Sequence, residues 1–170
     1  PYTDAIRGSD QIYGESIYTR RAELLTAYRP GGLDERLRIS GALTYHNQDS
    51  YYGTEHYDAE QKILFGQATW NQPLTNQFNL LVGGTMRYLS YNDNTPATSS
   101  GADQRIIPGL FAQAELSIND ATVLGGLRVD HHQEHGFVTA PRLSAKYSPS
   151  DLTTVRLSAG TAFLVVNVFT

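Results

Sequence analysis

The stretch Val123–Phe163, VLGGLRVDHHQEHGFVTAPRLSAKYSPSDLTTVRLSAGTAF, decides how the rest of the chain is read. It holds three consecutive runs that alternate with a period of two. In the first, Val123, Gly125, Leu127 and Val129 oppose Leu124, Gly126, Arg128 and Asp130. In the second, Thr139, Pro141, Leu143, Ala145 and Tyr147 oppose Ala140, Arg142, Ser144 and Lys146. In the third, Val155, Leu157, Ala159, Thr161 and Phe163 oppose Arg156, Ser158 and Gly160. Strict alternation is the pattern of a strand with two unlike faces. The polar face carries a charge at mid-strand each time, which is tolerable only where that face is wet. The fold turns on which solvent each face meets.

Working outward, the same pattern recurs five times. A strand is expected over about Glu15–Arg29, with Ala22, Leu24, Thr26 and Tyr28 on one face. A second, about Glu35–Asn47, sets Leu37, Ile39, Gly41, Leu43 and Tyr45 against Arg36, Arg38, Ser40, Thr44 and His46. The third, about Gln61–Asn71, has ambiguous faces, because Ile63 and Phe65 compete with Leu64, Gly66, Ala68 and Trp70. The fourth is the clearest, with Phe78, Leu80, Val82, Gly84, Met86 and Tyr88 opposite Asn79, Leu81, Thr85 and Arg87. The fifth, about Ile107–Ile118, sets Leu110, Ala112, Ala114 and Leu116 against Phe111, Gln113, Glu115 and Ser117. Eight strands in up-and-down order result. Short links at Pro30–Asp34, Asn71–Asn76, Asn119–Asp120 and Ser148–Asp151 alternate with long loops, notably NQDSYYGTEHYDAE (Asn47–Glu60) and NDNTPATSSGADQ (Asn92–Gln104). Residues 1–14 read as loop, and Pro108 and Pro141 should make the pairing ragged or bulged beside them.

Composition narrows the class. The chain has 170 residues, a net charge of −4 and no cysteine. No basic surface for nucleic acid is expected, and thiol chemistry, disulfides and thiolate zinc sites are excluded. No apolar run approaches the ~18 residues of a spanning helix. Eleven tyrosines and fifteen glycines lean toward β structure.

Two architectures fit eight such strands. A soluble sandwich or barrel buries its apolar face, whereas a transmembrane barrel turns it to lipid and wets its lumen. The aromatics favour the second. Tyr28, Trp70, Phe78 and Tyr147 lie beside short links, and Tyr45, Tyr88 and Phe163 near the opposite strand ends. Two such bands suit a bilayer's interfaces. Between them the apolar set is heavy in Ala, Gly and Leu, a thin filling for a close-packed core. All of residues 1–170 is expected to be part of one transmembrane β-barrel domain.

The runs GLRVDHH and GFVTAPRLSAKYSPSDLTTVRLSAGTAF, the closing VVNVFT, YGESIYTRRAELL near the start and YNDNTPAT in the middle resemble the barrel of TonB-dependent outer-membrane receptors, most closely the branch common in Bacteroidetes. That resemblance implies an internal piece of a barrel of about 22 strands. It also implies a separate plug domain, an inner-membrane TonB complex as energy source, outer-membrane localisation and uptake of a scarce small-molecule ligand. A siderophore or other metal chelate, haem, cobalamin or a glycan fragment would be the ligand. The family usually reads Gly-Thr-Gly-Phe-Arg where this chain has Gly160, Thr161, Ala162, Phe163 and Leu164, so an arginine-based role at that loop entrance is not implied.

Four groups are candidates for function. Arg36, Arg38, Arg87, Glu115, Arg128, Asp130, Arg142, Lys146 and Arg156 are expected to line a wet lumen, in contact with plug and ligand path. Tyr51, Tyr52, His56 and Tyr57 are candidate ligand contacts at the mouth, or a self-packed aromatic loop. His131, His132 and His135 with Asp130 and Glu134 have metal-ligand chemistry, but neighbours in a strand point to opposite faces, so an exposed loop top without metal is expected. Ser40 or Ser90 with His46 or His131 could supply parts of a hydrolase, yet no GxSxG motif accompanies them. No cofactor and no enzyme activity are expected. The competing readings are a stand-alone small outer-membrane barrel, structural, adhesive or a surface lipase, and a soluble β-barrel binding protein.

Overall fold

A computed structural model describes residues 6–33 and 35–162. The fold is a single sheet of eight strands in chain order, each antiparallel to the next. The strands are β1 (Glu15–Tyr28), β2 (Leu37–Tyr52), β3 (Glu55–Pro73), β4 (Phe78–Asp93), β5 (Asp103–Ile118), β6 (Ala121–His132), β7 (Gly136–Ser150) and β8 (Thr153–Gly160). The expected up-and-down order is therefore present. Among the described residues no α-helix occurs, and a 3-10 turn at Pro96–Thr98 sits between β4 and β5.

The strands run longer than the alternation suggested. The expected loop Asn47–Glu60 is instead a continuation of β2 and β3, paired from Asn47↔Glu60 to Tyr52↔Glu55. Its tip is only Gly53 and Thr54, with Gly53 at φ 62°, a left-handed value that suits glycine. The His-rich turn likewise shrinks to three residues between β6 and β7. The reason is physical: where both faces are polar, a strand keeps its backbone hydrogen bonds but loses its apolar–polar period. Periodicity marks where the two faces differ in polarity, not where a strand ends.

The register sorts the faces without ambiguity. Leu43 opposes Leu64 and Leu64 opposes Tyr88, so in β3 it is Leu64, Gly66, Ala68 and Trp70 that join the apolar face. Ile63 and Phe65 fall on the polar one. The two prolines cause no bulge; instead, ladders end beside them. The β5–β6 ladder stops at Gly109↔Asp130, next to Pro108. The β7–β8 ladder runs to Arg142↔Gly160, where Thr161 N–H still donates to Pro141 O at 3.1 Å, a bond that uses the proline carbonyl and not its missing N–H. A missing N–H costs least where pairing ceases. The observed irregularity lies at Tyr147–Ser150.

The described residues build no hydrophobic core of the usual kind. Among the described residues Ala59 is the sole buried apolar one. β8 is exposed at every position and β1 at all but one, so the sheet's two outer strands present open edges. Phe163 and Leu164 lie outside the described residues.

Candidate functional site

One face carries an apolar band. It runs from Leu24 and Tyr28 on β1, through Ile39, Leu43, Leu64, Val82, Met86, Ile106, Leu110, Leu116, Val123, Leu127 and Leu143, to Leu157 on β8, and all of these are exposed. Leu110 is 71% exposed in mid-strand. Gly66, Ala68 and Gly84 floor an apolar furrow of about 740 Å³ within the band, walled by Ile39, Met86, Leu110 and Phe137. Tyr28, Trp70, Phe78 and Tyr147 stand at its turn-side border, Tyr45 and Tyr88 at its loop-side border. Phe78 and Tyr88 are ten residues apart, about 33 Å along a strand and about 25 Å across a bilayer at a tilt near 40°. Phe137, packed edge-on against His131 at 5.0 Å, joins the same face. Sequence reasoning missed it by placing it in a loop.

Above the Tyr45–Tyr88 border the same face turns polar. Tyr18 and Arg20 follow Ala22 on β1, Asn47 and Asp49 follow Tyr45 on β2, and Lys62, Glu60 and Asp58 follow Leu64 on β3. Arg7, ahead of β1, reaches this patch. Its guanidinium lies 4.4 Å from the Tyr18 ring centre and 4.6 Å from that of Tyr51. It donates to both Asp49 carboxylate oxygens, at 2.9 and 3.3 Å, and to Ser16 Oγ at 2.9 Å. Those bonds hold the Asp49 carboxyl below its ordinary range, with His56 at 3.0 Å adding to the effect. His56 also stacks on Tyr51 at 4.6 Å.

The four mouth residues are thus divided. Tyr51 and His56 belong to this outward patch, while Tyr52 and Tyr57 lie on the opposite face. There Tyr57 Oη meets Tyr91 Oη at 2.6 Å, and Tyr91 donates to Asp93 at 3.1 Å. Burial first, then these two hydrogen bonds, raises the Tyr91 phenol. Asp93 also accepts from Thr95 N and from the hydroxyls of Thr95 and Thr98, which ties down the loop after β4. The Asp-Asn-Thr-Pro run was a turn signal of the kind that could have revealed this cap.

On the polar face the register places Arg38, Arg87, Glu115, Arg128, Asp130, Arg142, Lys146 and Arg156, as their alternation predicted. They do not form a ladder of opposite charges. Arg128 makes a two-pronged ion pair with Asp130, at 2.7 and 2.9 Å, and reaches Thr85 Oγ1 at 3.3 Å. Gly109 leaves room for this fork, since a Cβ there would collide with Asp130 Oδ1. Arg87 lies over the Phe65 ring at 5.9 Å. Lys146 and Arg156 stand directly opposite each other, two like charges. Arg36 departs from the group: it precedes β2, and its Nη1 donates to Gln72 Oε1 at 3.1 Å, which also accepts from Trp70 Nε1. That draws Arg36 toward the aromatic border.

The histidines are split as their spacing required. His131 faces outward against Phe137, and His132 faces the other way. His132 is not part of an exposed loop top: it is 3% exposed, because the short hairpin tip folds the His135 ring over it at 4.8 Å. Of the residues with hydrolase chemistry, Ser40 and His46 are six residues apart on β2, about 20 Å along a strand.

This geometry has relatives. The solved structures that resemble the chain include two from Pseudomonas aeruginosa. The siderophore receptor PirA superposes with a TM-score of 0.70 at 18% identity, over 91% of this chain and 28% of that one. A mutant of the ferric enterobactin receptor PfeA gives a TM-score of 0.62 at 16% identity, over 86% and 25%. The chain spans about a quarter of the length of these receptors, and at such identity the likeness concerns the fold. No curated protein sequence matches. The family model described as TonB dependent receptor-like, beta-barrel, matches residues 5–167. The chain therefore belongs to the TonB-dependent receptor family, within its β-barrel.

Proposed function

We propose that this chain forms part of the wall of a bacterial outer-membrane receptor that takes up a scarce small-molecule ligand by energy-coupled transport, with a metal–siderophore chelate as the leading ligand class. One observation carries the reading: a single-layer sheet with no core, apolar on one face between two aromatic borders and charged on the other. Such a sheet is stable where lipid covers the first face and water fills a lumen behind the second. The named likeness to siderophore receptors supports the ligand class.

In this reading Tyr28, Tyr45, Trp70, Phe78, Tyr88 and Tyr147 anchor the wall at the two lipid interfaces. Arg38, Arg87, Glu115, Arg128, Asp130, Arg142, Lys146 and Arg156 face the lumen, where a plug domain of the whole protein meets them. The TonB complex is the energy-coupling partner. Tyr52 and Tyr57, on the lumen side of the mouth, are better placed to touch ligand than Tyr51 and His56, which the Arg7 cluster already occupies. The Ser40–His46 separation favours transport over hydrolysis. The test is uptake of radiolabelled ferric siderophores by cells with and without the intact gene. Uptake should vanish on deletion and on collapse of the inner-membrane proton gradient. Unchanged uptake in the deletion strain across a panel of chelates would refute the ligand class, and uptake indifferent to the gradient would refute energy coupling.

A further inference from the structure

We propose that His132, Glu134 and His135 form a binding site for one divalent transition-metal ion, on the polar-face side of the β6–β7 hairpin tip. β6 ends at His132 and β7 begins at Gly136, so three residues make the tip. Gly136, at φ 68°, turns the chain back. His135 is thereby set over His132, their rings 4.8 Å apart and 25° from parallel. Each of the three residues offers a donor atom within 4.8 Å of the others.

The second observation is His132 itself. It is 3% exposed, and its Nε2 has no hydrogen-bond partner. A buried imidazole nitrogen without a partner is costly, and a coordinated ion removes that cost. His132 is the fixed member, buried in the hairpin, whereas the Glu134 and His135 side chains are exposed. A tetrahedral ion with bonds of about 2.0–2.2 Å needs its donors about 3.4 Å apart. The two exposed side chains close the remaining gap.

The donor set selects the ion. Two imidazoles and one carboxylate suit Zn(II), Ni(II) or Cu(II), whereas Mg(II) and Ca(II) prefer all-oxygen shells. His132 Nδ1 accepts from the Glu134 backbone N–H at 3.2 Å, which leaves Nε2 as the N–H nitrogen of that ring in its neutral form. Ligation through Nε2 moves that proton to Nδ1 and gives up this bond, as the tip carrying Glu134 swings its carboxylate to the ion. Arg105 does not hold the carboxylate back: its Nη2 is 3.9 Å from Glu134 but 2.9 Å from Asp103. A fourth position stays open to water or to a donor atom of a ligand in the mouth.

His131 is the internal control, since it points to the other face. The experiment uses the intact receptor in detergent, stripped with chelator, and titrates Zn(II) by calorimetry, with Cu(II) electron paramagnetic resonance alongside. One ion should bind. H135A and E134Q should each weaken Zn(II) binding at least tenfold, while H131A should bind as the unaltered protein does. The Cu(II) spectrum should show coupling to two nitrogens, falling to one in H135A. Absence of Zn(II) binding, or unchanged affinity in both H135A and E134Q, would overturn the site. These variants are at exposed positions, so the outcome does not depend on whether a change at buried His132 still folds. Transport plays no part in either readout, so this site and the receptor reading fail separately.

Discussion

The same face of the same strands is built in two ways on either side of the Tyr45–Tyr88 border. Below it, β1, β2 and β3 show Leu24, Leu43 and Leu64; above it, with no break in parity, they show Arg20, Asp49 and Glu60. Hydrogen bonding of the backbone is continuous across the border, so it is not secondary structure that changes there. What changes, in the proposed reading, is the solvent. In hydrocarbon a strand gains nothing from charge and needs no close packing partner, so exposed leucine and glycine suffice. In water the same positions make ion pairs and cation–aromatic contacts, which hold Arg7 and the segment ahead of β1 against the sheet.

The largest test of this contrast is an arginine placed on each side of the border in one strand. L110R should destabilise folding into lipid bilayers by about 2–4 kcal/mol, and Q104R, six residues up the same face, by about 0–1. Chemical denaturation from vesicles reads both. Equal costs would break the lipid assignment of the band.

A second test compares the two faces. A Cβ at Gly83, on the polar face, would meet Phe111 at 2.4 Å and the Ala68 carbonyl oxygen at 2.7 Å. A Cβ at Gly66, in the apolar band, would meet nothing within 4 Å. G83A should therefore cost about 1–3 kcal/mol by overpacking, and G66A should be close to neutral in the same denaturation assay. The reverse order would mean that the polar face is the looser one.

Above the border, Y91F removes the Tyr91 hydroxyl from between Tyr57 and Asp93. A loss of about 0.5–1.5 kcal/mol is expected, read as faster proteolysis of the loop after β4, with β-sheet content unchanged. An unaltered cleavage rate would show that the Thr95 and Thr98 bonds to Asp93 hold that loop alone.

The smallest effect is in pH. The folded Asp49 carboxyl titrates below its unfolded value of about 3.9, chiefly because of Arg7. Its stabilisation is therefore complete above that value and is lost as pH falls through the lower folded one. Hydrogen exchange at the Gly53 amide, which donates to Gly14 O, reports whether the segment ahead of β1 stays docked. Protection should be constant from pH 7 to 5 and decline below about pH 4. A decline already between pH 7 and 5 would show that the Arg7–Asp49 pair does not control docking.

The fold was legible wherever the two faces meet different solvents. Val123, Leu127, Leu143 and Leu157 alternate with Arg128, Arg142, Lys146 and Arg156 on opposite faces, and in the proposed reading lipid and water do that sorting residue by residue. It failed where both faces meet water, so β2 and β3 ran past Asn47 unseen. In β3 it was also blurred by Ile63 and Phe65, apolar residues that the polar face accepts beside Arg87. The charges of the polar face were legible as a group, but their partners were not. Sequence by itself determined the strand number, their order and the two faces of every strand but β3, since each depends on the period-two pattern of near neighbours. Only the tertiary structure decided that Arg7 bonds to Asp49, that Tyr57 meets Tyr91 and that His135 closes over His132. Those contacts depend on register and on side-chain direction at hairpin tips, where a shift of one residue exchanges the faces and leaves composition untouched.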